Sequence, residues 1–162
     1  MRLHSTNHQS APVSFREAVI RGLAPDGGLW MMDDIPRMPA KWIKSLPSLS
    51  LKEIAYAVAS QFLSQELDDV ALRSIIDASC TFGSPLKSVD QDFVLELFHG
   101  PTLAFKDFGA RFLANVMGQF ARSEGRDLTV IVATSGDTGG AVAHAFAGVK
   151  GTRVFVLYRE QW

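Results

Sequence analysis

A chain of 162 residues that is 47% hydrophobic and 20% charged has ordinary globular composition, and a net charge of -1 gives no electrostatic case for nucleic acid or an anionic membrane. The lone Cys80 excludes an intramolecular disulfide and fits a reducing compartment, and no stretch approaches the roughly 18 apolar residues of a membrane span. The first eight residues lack the apolar core of a secretory signal, so the expected location is cytoplasmic.

From the N-terminus, Ser14-Phe15-Arg16-Glu17 and Ser50-Leu51-Lys52-Glu53 both fit the capping box, which predicts two helix starts. The first helix ends at Gly22. Behind Ser50, residues Leu51, Ile54, Ala55, Val58 and Phe62 recur at helical spacing. A third helix, opened by Asp68 and Asp69, carries Leu72, Ile75, Ile76 and Ser79 on one face, and Cys80 continues that pattern as a core residue. Asp26-Gly27-Gly28 reads as a tight turn, Trp30, Met31 and Met32 as packing, and Pro36, Pro39 and Pro47 as punctuation of an irregular connection. Residues 1–90 are therefore expected to form a mainly helical domain.

Residues 91–162 read as the start of an α/β domain. Strand is expected over 93–98, helix over 107 to about 123, strand over 128–133, helix over 139–147 and strand over 153–157. That alternation implies a parallel sheet with crossover helices. Phe108, Phe112, Val116 and Phe120, four apart, make one structural helix face.

Two segments of this half carry chemistry. In His99-Gly100-Pro101-Thr102-Leu103-Ala104-Phe105-Lys106-Asp107-Phe108, a Gly-Pro turn places a lysine where a helix begins. The positive end of the helix dipole and two flanking phenylalanines both disfavour the charged amine, and a neutral amine is the form that attacks a carbonyl. Against this stands a solvated lysine in a helix's first turn. The second segment, Thr134-Ser135-Gly136-Asp137-Thr138-Gly139-Gly140, links a buried strand to a helix and aims backbone amides and hydroxyls at one spot, which suits a carboxylate or phosphate. It is neither a dinucleotide fingerprint nor a P-loop. A cap by Thr134, Ser135 or Asp137 would explain one hydroxyl but not several. His99, beside the lysine turn, is a candidate proton carrier or a backbone-bonded turn residue, and His144 reads as packing or solvent-facing. No His, Cys, Asp or Glu spacing suggests a metal site.

Together these segments resemble threonine synthase, an enzyme of the fold-type-II group that depends on pyridoxal 5'-phosphate (PLP). Phrases similar to His99 through Phe108 and to Ala133 through Gly139 occur in that family, and Gly22-Leu23-Ala24-Pro25-Asp26-Gly27-Gly28-Leu29 resembles a third. The resemblance runs from about Val13 to about Leu157 and implies an α/β fold: a helical N-terminal region followed by the start of a fold-type-II parallel-sheet domain, incomplete at its C-terminus. It implies that Lys106 holds PLP as a Schiff base, and that Ser135, Gly136, Thr138 and Gly139 bind the substrate carboxylate. Asp137 stands where many relatives have an Asn facing the PLP 3′ oxygen; a carboxylate there would have to share a proton with it or meet an intervening donor. The implied activity converts O-phospho-L-homoserine and water to L-threonine and phosphate, with a small amino-acid substrate as partner.

The family's separate PLP-phosphate loop and its residue at the pyridine nitrogen have no counterpart in these residues. A truncated form is therefore expected, with self-association through an incomplete sheet. The alternatives are a PLP-dependent phospho-lyase or dehydratase acting on another amino acid, and a noncatalytic fragment that keeps the motifs.

Overall fold

The computed structural model describes residues 2–134 and 136–158. The chain divides into two compact units, Met1–Ser74 and Ile75–Trp162.

In the first unit, β1 (His4–Ser5) pairs antiparallel with β2 (Trp30–Met31), and α1 (Phe15–Arg21), α2 (Ala40–Ser45) and α3 (Leu51–Leu63) follow in chain order. Helix α4 (Asp69–Ser79) runs across the division between the units. The capping box at Ser50 is complete: the Glu53 N–H donates to Ser50 Oγ at 3.3 Å and the Ser50 N–H to Glu53 Oε2 at 2.7 Å. At α1, Ser14 Oγ accepts from the Glu17 N–H at 3.1 Å, while the Glu17 carboxylate pairs with Arg21. A distant residue completes that cap. The Glu66 carboxylate accepts from the Phe15 and Arg16 N–H groups at 2.7 and 2.9 Å, satisfying helix-start amides that have no intrahelical acceptor.

Leu3, Val13 and Ala18 form a small core with Phe15, Trp30 and Met32 packed on it. Met31 alternates outward, 53% exposed, so the expected packing role of this stretch holds for its neighbours and not for it. The α3 face is shifted from the expected one, since Leu63 is buried while Val58 is exposed. On α4 the expected face is buried throughout, at Leu72, Ile75, Ile76 and Ser79.

Asp26 organises the N-terminal loop. Its carboxylate accepts from Ser5 Oγ at 2.6 Å, the Gln9 N–H at 2.9 Å and the Gly28 N–H at 3.0 Å. These bonds, led by Ser5, hold its pKa down to about 2. Residue 28 must be glycine, because a Cβ there would lie 2.1 Å from Ser5 Oγ.

The second unit contains a hairpin, β3 (Leu86–Val89) with β4 (Asp92–Leu95), then α5 (Lys106–Ser123), β5 (Leu128–Ala133), α6 (Asp137–Phe146) and β6 (Thr152–Leu157). The strand expected over 93–98 is thus shorter and antiparallel, paired in register from Leu86↔Leu95 to Val89↔Asp92. Two residues, Asp90 at φ 51° and Gln91, close the turn, which leaves no room for the crossover a parallel partner needs. Strands β5 and β6 are parallel, from Leu128↔Thr152 to Ala133↔Leu157, and α6 is their crossover.

Helices α5 and α6 cover one face of this pair. Ala114, Ala145 and Phe146 form the core there, with Met117, Val130 and Val154 against it, and Val116 and Phe120 are fully buried. The opposite face carries Ile131, Phe155 and Leu157, each more than half exposed. Parallel sheets are ordinarily covered on both faces.

Candidate active site

Gly100 through Leu103 form a β-turn, with the Leu103 N–H donating to the Gly100 carbonyl at 3.1 Å and Pro101 at the position where its fixed φ is favoured. Leu103 adopts φ 59°, a left-handed conformation that costs a non-glycine residue about 1–2 kcal/mol. Three residues later α5 begins with Lys106 itself.

The lysine amine lies 4.5 Å from the centroid of the Phe105 ring, a cation–π distance. No hydrogen bond or ion pair to Lys106 Nζ is seen among the described residues. The two phenylalanines expected to flank it behave differently. Phe105 is 62% exposed and carries the amine on its face, whereas Phe108 packs edge-on against Phe82 at 4.7 Å between centroids.

Next to the lysine, Asp107 is fully buried. Its Oδ1 accepts from Thr102 Oγ1 at 2.7 Å and its Oδ2 from the Thr102 N–H at 2.9 Å. Burial of a carboxylate is costly unless its oxygens are bonded, and here both are, in the first turn of a helix whose dipole favours negative charge. Gly100 makes the approach possible: a Cβ there would lie 2.4 Å from Asp107 Oδ2. Asp107 was not among the residues singled out from sequence. The available signal was an acid at the second position of a helix, five residues after a threonine in a Gly-Pro turn.

The loop after β5 is built differently. Thr134 Oγ1 accepts from the Gly136 and Gly139 N–H groups, both at 3.2 Å, so among the described residues its hydroxyl satisfies an amide of the helix start. The Gly139 N–H also lies 2.9 Å from the Gly136 carbonyl. A Cβ at Gly139 would sit 2.2 Å from Thr134 Cγ2 and 3.0 Å from Val156 Cγ1, so this glycine lets the helix start approach the sheet. Gly136 is the N-cap, and Asp137 and Thr138 open α6, where by helix geometry their amides have no intrahelical carbonyl to reach. Asp137 and Gly136 are exposed and Thr138 half-buried. Ser135 lies outside the described residues.

Lys106 and the Gly136–Gly139 segment thus stand at the N-terminal ends of two helices, α5 and α6, that pack on each other. The loop follows the carboxyl end of β5, as ligand loops in open α/β sheets do. Lys106 follows no strand of the parallel pair; it comes eleven residues after β4 of the hairpin. His99 pairs with Glu96 at 2.7 Å and stacks on Phe98 with centroids 4.8 Å apart, so it is engaged with its own neighbours. His144 is exposed in the last turn of α6, where a cation suits the helix dipole.

Residues 2–80 match the family model for the threonine synthase N terminus. Threonine synthase of Serratia marcescens is 40% identical over 161 residues, which is 99% of this chain and 37% of that protein. Its counterpart in Haemophilus influenzae is 41% identical, over 98% of this chain and 36% of that one. Among solved structures, PLP-bound threonine synthase from Brucella melitensis superimposes with a TM-score of 0.91 at 39% identity, covering 98% of this chain and 35% of that one. The chain spans about a third of the length of these relatives. Over nearly its whole length it matches, in sequence and in backbone, the N-terminal portion of the threonine synthases.

Proposed function

We propose that this chain supplies the reactive lysine and the substrate loop of a PLP-dependent threonine synthase, which converts O-phospho-L-homoserine and water to L-threonine and phosphate. The observation that carries the reading is Lys106: a half-buried residue at the first position of α5, its amine without a carboxylate or hydrogen-bond partner among the described residues, with a hydrogen-bonded turn before it. An amine so placed fits a cofactor that is held through its aldehyde carbon. PLP, when bound, supplies an electron sink for negative charge developing on the substrate's carbons.

The chain's own residues divide the remaining work. Lys106 Nζ holds the cofactor and, when released, carries protons to and from the substrate's Cα and Cβ. The Thr138 amide and hydroxyl, with Ser135, bind the substrate carboxylate beside the start of α6, where the helix dipole favours an anion, and Gly136 and Gly139, whose own amides donate to Thr134 Oγ1, shape the loop around it. Asp137, exposed in that first turn, is the residue that would meet the cofactor's ring oxygen, where a carboxylate would need a shared proton or an intervening donor. Thr134 orients the loop by holding the Gly136 and Gly139 amides.

Borohydride reduction of a full-length form loaded with PLP, followed by peptide mapping, tests the lysine, and release of inorganic phosphate from O-phosphohomoserine by that form tests the activity. A reduced adduct at Lys87 or Lys150 in place of Lys106 overturns the reading.

A further inference from the structure

We infer that Asp107 is the positioning residue for Lys106: its buried carboxylate clamps Thr102 against Gly100 and so fixes the strained turn from which the lysine projects. The inference rests on the proposed role of Lys106 and goes beyond it, to the group that sets where the amine stands.

A carboxylate with no exposure at the second position of a helix is unusual, since Asp is seldom fully buried without partners. It does not cap its own helix: both of its oxygens accept from Thr102, five residues earlier. The backbone it holds would otherwise relax. Leu103 is branched, 74% exposed and left-handed, so nothing in its own side-chain burial favours that conformation. The constraint comes from both sides of it: the Gly100 carbonyl accepts from the Leu103 N–H, and Thr102 is tied by its N–H and hydroxyl to Asp107. Gly100 completes the clamp by having no Cβ to occupy the 2.4 Å next to Asp107 Oδ2. Lys106 is joined covalently to Asp107 and follows Leu103 by three residues, so the direction of its side chain is set by the backbone that this clamp locks. Strain kept beside a reactive group is a means of holding it ready.

The test is the share of PLP that borohydride traps at Lys106, relative to Lys87 and Lys150, measured by peptide mapping of the chain and its variants. Asp107→Ala lowers that share about tenfold, the scale of loss expected when a reacting group is misplaced by a fraction of an ångström. Thr102→Val keeps the N–H bond and the volume and loses the hydroxyl bond; it lowers the share about threefold. Asp107→Asn keeps an acceptor for the Thr102 N–H and offers its amide to the hydroxyl, so it stays within about twofold of the parent. The visible circular dichroism of bound PLP, per trapped cofactor, follows the same order.

An unchanged share in a folded Asp107→Ala chain overturns the inference, as does an Asp107→Asn chain that loses as much as Asp107→Ala. Should Asp107→Ala fail to fold, Thr102→Val decides, and an unchanged share there overturns the inference as well. A parent chain in which Lys106 is not preferred overturns the functional reading itself. A parent preference that survives the removal of Asp107 overturns only its positioning role.

Discussion

Asp26 and Asp107 are built on one plan and stand in different company. Each is a carboxylate that gathers a Ser or Thr hydroxyl and at least one backbone amide, and each is approached by a glycine whose Cβ would collide, Gly28 with Ser5 Oγ and Gly100 with Asp107 Oδ2. Around Asp26 every bond closes on the N-terminal loop: Ser5, Gln9 and Gly28, with the Asn7 amide on the Asp26 carbonyl. Beside Asp107 stands a lysine amine with no acceptor among the described residues. Rigidity is common to the two phrases, so rigidity is not the mark of a site. The mark is a reactive group left unsatisfied next to it.

The largest expected difference comes from removing that group. Lys106→Ala abolishes the adduct trapped at that position and, in a full-length form, removes turnover outright, since on the proposed function one side chain supplies both the covalent link and the proton carrier. The equivalent change at the other hub, Asp26→Ala, leaves trapping at Lys106 unchanged and lowers the thermal midpoint. A chain in which Asp26→Ala also abolished the adduct would break the comparison.

The glycines separate the two regions next. Gly28→Ala and Gly100→Ala both overpack a carboxylate hub, and each is expected to cost about 1–3 kcal/mol by denaturant unfolding. Only Gly100→Ala lowers the share of PLP trapped at Lys106. Equal trapping in the two variants would show that the turn before the lysine has no bearing on its amine.

Acid distinguishes them further. Asp26 titrates at about 2 in the folded chain, below the ordinary 3.8, so in that interval the unfolded chain binds more protons than the folded one. Its contribution to stability is therefore fully present above about pH 4 and lost as the pH falls through about 2. The Glu53 and Asp69 carboxyls are also held down, by Ser50 and by Tyr56 and Arg73 respectively, and add in the same direction. All three lie in the first unit, where Trp30 reports on the core. Asp26→Asn should flatten the acid limb of an unfolding curve followed by Trp30 fluorescence in a chain with Trp42 and Trp162 replaced by Phe, and an unaltered limb would remove Asp26 from the account.

Much of this was legible in the sequence where the cause is local. The α4 stripe of Leu72, Ile75, Ile76 and Ser79 is a helical period, and the Ser50 box is a four-residue pattern, so neither needs the rest of the chain. Lys106 at a helix start followed from the Gly-Pro turn before it. What escaped is non-local. Glu66 caps α1 from about 50 residues away, and Leu86–Val89 is entirely exposed, so no alternation marks it as the partner of β4. Asp107 escaped for another reason: an acid beside a lysine reads as a solvated pair, and only the folded turn reveals that Thr102 and Gly100 enclose it.

The smallest expected effect concerns the sheet. The helix-covered face of β5 and β6 presents Val130, Val132, Val154 and Val156, while the other face presents Ile131, Phe155 and Leu157, all more than half exposed, with Tyr158 just beyond the strand at 79%. Both faces are apolar in the manner of a strand pair meant to be covered twice. In water the uncovered face and two strand edges favour association of one chain with another. Association through so small a patch is weak, so it should appear as a concentration-dependent shift in sedimentation at tens of micromolar or above, in the order-of-magnitude sense of about 25 cal/mol per Å² offset by the cost of immobilising two chains. Phe155→Thr keeps β propensity and removes the exposed ring within strand β6, and should return the chain toward a monomer without altering its melting midpoint by more than about 0.5 kcal/mol equivalent. A chain that sediments as a monomer at every concentration, or a Phe155→Thr variant that associates as readily as the parent, would mean that the exposed face is tolerated as it stands.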